Sequence, residues 1–433
     1  MKKIIIPAII SLLFPLLSLA TRDEATPVVN DDNSVTFRLK APEADEVILK
    51  GSFIPRKNLL KTEVGALGKE GKIEMTREGD YWTYTSEPLS SDLYTYHFEV
   101  DEVKTLDPFN PNTLRDIADT LNYFFIKGKY ADMYMQQEVP HGKLKKVWYP
   151  SSLNGMSKRR MSVYLPAEYA LDSSRRFPVL YLLHGSGGDE DAWEDAGRAV
   201  QILDNMIAAG KCSPMIVVMP NGNVNLAAAP GKDPTNPDVK PSALNTSSML
   251  GKFEDSFMKE IVDYVDDNYR TIPDKTHRAV AGLSLGGLHT LYISLNNPDS
   301  FDYVGLFSAQ TTNALDDKSI NGMQQVGEVW NQLKGIFPAM GKRKFGKMIS
   351  NMTSDELSVY DKTDAKLKNF FSTPHKLFYL AVGRDDFVKK LNDDLRKKLY
   401  LLDADFIYNE TDGGHTWDNW RKYLLDFLPR LFK

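Results

Sequence analysis

The sequence predicts an α/β fold, a mainly parallel sheet with helices on both faces, preceded by an all-β sandwich. Three observations carry this expectation. Residues 28 to about 128 alternate polar and apolar with the two-residue period of half-buried strands. From about residue 143, near-continuous apolar runs alternate with helical stretches. Between the two lies a polar connector, Tyr130 to Gly142.

In the first region, VTFRLKAP, EVILKGSF, YWTYTSEPL and LYTYHFEVD each read as a strand. Glu78-Gly79-Asp80 and Ser90-Ser91-Asp92 supply turns between them. Short strands at this spacing make a sandwich of about 100 residues. Trp82, Tyr84, Tyr94 and Tyr96 alternate along two strands. They offer either a sugar-binding platform or the buried face such a sandwich requires.

In the second region the strands are FPVLYLLHG, PMIVVMPNG, HRAVAGLS, FDYVGLFSA, KLFYLAVGRDD and DFIYNETDGGH. The helices are EDAGRAVQILDNMIAA, KFEDSFMKEIVDYVDDNY, GGLHTLYISLNN and DFVKKLNDDLRKKLYLLD. Residues 223–250 read as a long loop and residues 311–375 as an insertion, and both are expected to shape the mouth of a site.

The first 20 residues carry two lysines, an apolar core broken by Pro7 and Pro15, and a small-residue ending. That pattern is a secretory signal peptide cleaved after Ala20. It is too short and interrupted for a membrane span, which needs ~20 apolar residues. The expected organisation is therefore a signal at 1–20, a sandwich at 21–130, a linker at 131–144 and the α/β domain at 145–433. Export to the periplasm or the medium follows. Cys212 is the single cysteine, so no internal disulfide forms, and a net charge of −5 from 53 basic and 58 acidic residues gives no basic stripe for nucleic acid.

Parallel sheets place their sites at the carboxyl ends of strands. There, Gly282-Leu283-Ser284-Leu285-Gly286 matches G-x-S-x-G, a sharp strand-to-helix turn that presents a serine. Side chains two residues away on either side would collide, hence the glycines. A hydroxyl needs a base, normally histidine. Of seven histidines, His97 lies in the sandwich, His141 in the connector, and His277 ahead of the serine strand. His289 falls on the helix behind the serine, and His375 at the wrong end of its strand. His184 ends a strand, but in a glycine-rich loop with a different use. His415, in TDGGHTW between the last strand and the last helix, remains.

An acid must orient that base. Asp385 and Asp386 both follow the strand LFYLAVG, and Asp386 is favoured because the chain turns there. The chain order Ser284, Asp386, His415 is that of α/β-hydrolases. The loop His184-Gly185-Ser186-Gly187-Gly188 would supply one oxyanion donor, the Ser186 amide, and Leu285 the other. This chemistry requires no metal or cofactor. The acidic run from Asp189 to Asp195 fits a solvated helix start better than a calcium site. Trp193 and Trp417 fall near the expected mouth, as substrate-stacking candidates or as core.

Together HGSGGDEDAW, RAVAGLSLGG and TDGGHTWDNWRKYLLDFLPRLF resemble the esterase-D-like branch of α/β-hydrolases, and within it carbohydrate esterase family 1. VTFRLKAPEADEVILKGSF and YTYHFEVDEVKTLDPFNP resemble an immunoglobulin-like carbohydrate-binding module of family 48. The resemblance implies a serine esterase with nucleophile Ser284, acid Asp386, base His415 and oxyanion amides of Ser186 and Leu285. Its expected substrate is feruloylated xylan or oligosaccharide. Acetylated xylan is the alternative, then a siderophore of the enterobactin type, against which the export signal speaks. A glycan-binding protein with a degenerate hydrolase fold is the non-enzymatic reading. Oligomeric state stays open.

Overall fold

The computed structural model describes residues 26–55, 71–236, 251–311 and 358–433. The signal segment 1–20, residues 237–250 of the long loop and 312–357 of the insertion lie outside these.

The β-rich region holds strands β1 (Val28–Val29), β2 (Val35–Lys40), β3 (Val47–Gly51), β4 (Gly71–Glu74), β5 (Thr76–Glu78), β6 (Tyr81–Thr85), β7 (Asp92–Val100), β8 (Val103–Thr105), β9 (Thr113–Asp116) and β10 (Asp119–Ile126). They form two antiparallel sheets, in the orders β1-β2-β6-β5 and β4-β3-β7-β10-β9, with β8 beside β7. Alternation decides what each strand buries. In β2, Val35, Phe37 and Leu39 point inward; in the other sheet Val47, Leu49, Tyr96, Phe98, Phe124 and Ile126 face them. Edge-on rings lock the middle, Phe37 lying 4.9 Å from Tyr96 and 5.6 Å from Phe124.

Trp82 and Tyr96 are buried in that core, and Tyr84 and Tyr94 pack against it. The Trp82 indole N–H donates to the Ala41 carbonyl at 3.0 Å. Trp82 and Tyr96 thus serve the core between the sheets, while Tyr84 and Tyr94 are half-buried at its margin.

The second region is one eight-stranded sheet, in the order β11-β12-β14-β13-β15-β16-β17-β18. Its strands are β11 (Lys143–Pro150), β12 (Lys158–Leu165), β13 (Val179–Leu183), β14 (Ile216–Pro220), β15 (Arg278–Leu283), β16 (Tyr303–Phe307), β17 (Leu377–Gly383) and β18 (Ile407–Thr411). β12 pairs antiparallel with both β11 and β14, and all later pairings are parallel. Six of the strands match the apolar runs read from the sequence. The antiparallel pair β11 and β12 does not: KLKKVWYP is mostly exposed, and KRRMSVYL, although buried after its first residue, opens on three basic residues and carries no long apolar run.

Helices cover both faces: α1 (Ala199–Ala208), α2 (Leu285–Asn296), α3 (Thr363–Ser372), α4 (Lys389–Leu401) and α5 (Trp417–Phe427). One core gathers α2, α3 and α4 with a helical segment whose middle turn, Phe257–Val262, is π-helical. The other gathers α1 and α5. β15 serves both, sending Val280 to the first and Ala279, Ala281 and Leu283 to the second.

Register puts the strand ends on one line. Leu183 pairs with Gly282, Leu283 with Phe307, and Gly383 with Thr411. Every loop that carries candidate chemistry leaves from this edge.

Three segments outside the main elements pack in part against the domain. The segment 131–144 is no free spacer: Ala131 and Tyr134 are fully buried, and the Asn205 amide donates to the carbonyls of Met133 and Met135. The start of the long loop is fastened to the domain, since the fully buried Arg159 donates to the carbonyls of Asn221, Asn223 and Leu226 and the Ala229 amide donates to Glu190, while residues 231–236 are mostly exposed. The described end of the insertion forms α3, whose Leu367 and Phe370 enter the core instead of overhanging a site.

Candidate active site

Ser284 stands between β15 and α2 with φ 54° and ψ −118°, a strained conformation for a residue with a side chain. Its own amide donates to Phe307 O at 2.9 Å, and its carbonyl accepts from Gln310 N at 3.0 Å, so the neighbouring strand end holds the bend. The flanking glycines are required by space. A Cβ on Gly282 would lie 2.3 Å from Gly286 O, and one on Gly286 would lie 2.4 Å from His184 O.

His415 arrives from the loop after β18. Its Nε2 is 2.9 Å from Ser284 Oγ, and its Nδ1 is 2.9 and 3.1 Å from the two oxygens of Asp386. A carboxylate only accepts, so Nδ1 carries the proton and the lone pair of Nε2 faces the serine hydroxyl. All three side chains are buried. Phe387 lies against the imidazole at 4.3 Å and Trp420 stands edge-on to it at 5.0 Å, which fixes the ring plane.

The Asp385 and Asp386 alternatives separate at once. Asp386 is buried and aimed at His415, with the Val388 amide donating to it at 3.0 Å, whereas Asp385 is exposed. The close approach of Gly383 to the histidine loop makes this geometry possible. A Cβ there would meet Gly413 O at 2.2 Å.

The loop after β13 passes directly beside the serine: a Cβ on Gly185 would lie 3.0 Å from Ser284 Cβ. Ser186 follows on this loop, and Leu285 opens α2, whose amino-terminal end carries partial positive charge. His184 braces the loop. Its Nδ1–H donates to Gly185 O at 2.8 Å, and its Nε2 accepts from Gly222 N at 2.8 Å. Burial lowers its pKa to about 4, so the ring is neutral and serves as a strut between two loops.

The first three acids of the run are buried and paired with cations rather than solvated. Asp189 meets Arg115, Glu190 meets Arg160, and Asp191 meets Arg160 and Lys146. Glu190 also accepts from the Asn221 amide and from Ala229 N, which fastens the loop after β14.

Trp193 does not reach a substrate. It is 1% exposed, its N–H donates to Leu183 O at 3.0 Å, and its ring packs against Phe307. Trp417 is half-buried, edge-on to Trp193 at 5.3 Å and to Trp420 at 5.0 Å. Its N–H donates at 3.0 Å to Asp116 of β9, a residue that sequence reasoning did not single out.

Residues 152–431 match the model of the esterase family described as "Putative esterase". The chain belongs to this esterase family. Its sheet, its strand-end serine and its helices on both faces make an α/β hydrolase. A similar relative is an endo-1,4-beta-xylanase/feruloyl esterase of Xylanibacter ruminicola, 32% identical over 299 residues, covering 66% of this chain and 36% of that protein. An acetyl esterase of Caldicellulosiruptor saccharolyticus is 27% identical over 263 residues, covering 60% of this chain and 85% of that one. The esterase chain thus spans about a third of the Xylanibacter protein. Among solved structures, the enterobactin esterase FES of Shigella flexneri aligns over 92% of both chains with a TM-score of 0.57 and 16% identity. That likeness is one of fold, and its extent takes in the β-rich region as well as the hydrolase sheet.

Proposed function

We propose that this esterase is an exported serine hydrolase that releases feruloyl groups from plant cell-wall xylan. The observation that carries the reading is the 2.9 Å contact between His415 Nε2 and a Ser284 held at positive φ. His415 takes the hydroxyl proton as Ser284 Oγ attacks the ester carbonyl. The amides of Ser186 and Leu285 receive the charge that develops on the carbonyl oxygen. His415 then gives its proton to the departing sugar oxygen, leaving a feruloyl-serine. Water loses a proton to His415 and attacks this acyl group. Ferulate leaves, and the proton returns to Ser284. Asp386 keeps the imidazole in the required tautomer and stabilises its charged form.

The feruloyl preference draws on the name of the Xylanibacter relative, and the name of the Caldicellulosiruptor protein favours acetyl esters as the second reading. Export rests on the pattern of residues 1–20, and no helix among the described residues is long and apolar enough to cross a membrane. The β-rich region, 21–130, is proposed as an immunoglobulin-like unit that docks on the hydrolase domain, 145–433.

The test offers methyl ferulate and acetylated xylan to the wild type and to Ser284→Ala. Ferulate release by the wild type alone supports the proposal. Acetate without ferulate moves the substrate to the second reading, and equal hydrolysis by both proteins rejects a serine mechanism.

A further inference from the structure

Two adjacent side chains of the β-rich region touch the two loops on which the proposed chemistry depends. Strand β9 ends in Arg115-Asp116, just before the tight turn at Ile117, where φ is 54°. Arg115 Nη2 lies 2.8 Å from both oxygens of Asp189. Asp189 is buried and stands three residues beyond Ser186, on the loop that passes beside Ser284. Asp116 Oδ1 accepts from the Trp417 indole at 3.0 Å. Trp417 stands two residues beyond His415, and its ring meets Trp420, which in turn stands edge-on to the imidazole.

We infer that the β9–β10 hairpin is a brace, with Arg115 positioning the oxyanion loop and Asp116 positioning the histidine loop. The inference rests on the serine-hydrolase reading above and assigns the β-rich region a part in turnover itself. Both loops need such a support. The first runs Gly185-Ser186-Gly187-Gly188 and the second Gly413-Gly414-His415, so neither backbone is stiff on its own. A single hairpin that holds both loops adds, from outside the α/β sheet, to the contacts within it that set the distance between the base and the oxyanion donors. Neither residue touches the reacting atoms; both act through a neighbour.

A displacement of about 1 Å can lower turnover by roughly 100-fold. Arg115→Ala and Asp116→Ala in the full chain should therefore lower kcat for methyl ferulate by roughly 10- to 100-fold, with KM nearly unchanged. Asp116→Asn keeps an oxygen acceptor for the indole and should restore kcat. Asp92→Asn is the comparison, because Asp92 joins the same two regions through Arg421 and Lys422 but touches neither loop. It should leave kcat near wild type. The same variants are treated with a small fluorophosphonate, whose rate of attachment to Ser284 reports the serine, its base and the oxyanion donors without an acyl pocket.

Slow labelling and low kcat in the two alanine variants, with rescue in Asp116→Asn, support the brace. Wild-type kcat and labelling in folded Arg115→Ala and Asp116→Ala overturn it. A rise in KM alone, or an equal loss in Asp92→Asn, also overturns it in favour of substrate contact or of general docking. If the alanine variants fail to fold, Arg115→Met decides, since methionine keeps an unbranched apolar stem but offers Asp189 no donor in place of Nη2; wild-type labelling there rejects the brace. Equal labelling of wild type and Ser284→Ala is a different failure, that of the serine-hydrolase reading itself.

Discussion

The carbonyl oxygen of His184 lies 2.4 Å from the point where a side chain on Gly286 would begin. The end of β13 and the first turn of α2 are therefore in contact through backbone alone. Gly286→Ala must push the helix away from the loop that carries Ser186. Overpacking of this kind costs about 1–3 kcal/mol, and the damage falls on the oxyanion geometry. The expected outcome is a folded protein with a lower melting temperature and a kcat reduced by at least about 100-fold. Gly414→Ala is the control, because a Cβ there comes no closer than 3.6 Å to Asp385 O. Similar activity in the two variants would show that the contact is slack.

Asp386 and Asp385 are neighbours with opposite surroundings. Asp386→Asn keeps the shape of the side chain but offers an N–H to His415 Nδ1, which favours the wrong tautomer. A loss of about 10⁴-fold in kcat is expected, with KM little affected. Asp385→Asn, at an exposed position, should match the wild type. Steady-state assays of both variants decide the matter, and a comparable loss in Asp385→Asn would mean that the two carboxylates share the task.

The serine, its base and the parallel sheet were legible in the sequence because their requirements are local. A nucleophile turn needs glycines at fixed offsets, and a strand buried on both faces needs an unbroken apolar run. The choice between Asp385 and Asp386 needed one more dimension, the direction in which a loop turns. Trp193 stays open between substrate and core in the sequence because nearness to the Ser186 loop says nothing about the phase of the short helix Ala192–Asp195 on which it sits; that phase sends the ring inward. Arg115 and Asp116 were invisible for a different reason. Their partners lie 74 and 301 residues away, and nothing in a strand ending in Arg-Asp announces a contact across a domain boundary. Likewise β11 carries no apolar run, and its place is set by pairing with β12 and by scattered contacts, Tyr149 in the core and Lys146 on Asp191.

Trp193 offers a direct test of its placement in the core. The ring is fully enclosed and its N–H satisfies the carbonyl at the end of β13. Trp193→Ala should lower the unfolding free energy by about 3–5 kcal/mol, read by urea denaturation. At a temperature where the variant stays folded, KM for methyl ferulate should hold. A raised KM with unchanged stability would return the ring to the substrate.

His184 makes stability depend on pH. Burial holds its folded pKa near 4, below the ordinary value of 6.5. The unfolded chain thus binds a proton more readily than the native one between those values. The sign follows directly: stability is complete above pH 6.5 and falls as pH drops from 6.5 toward 4. Below that the contribution is constant, because both states are protonated. A shift of this size corresponds to about 3 kcal/mol. Protonated Nε2 can no longer accept from Gly222 N, so the acid-induced loss begins at the strut between the two loops. Urea unfolding at intervals across this range should give a steeper rise of stability with pH for the wild type than for His184→Gln. The glutamine variant titrates no group at this position, although it is less stable at neutral pH. Parallel slopes for the two proteins would mean that His184 accepts its proton as readily in the folded state as in the unfolded one.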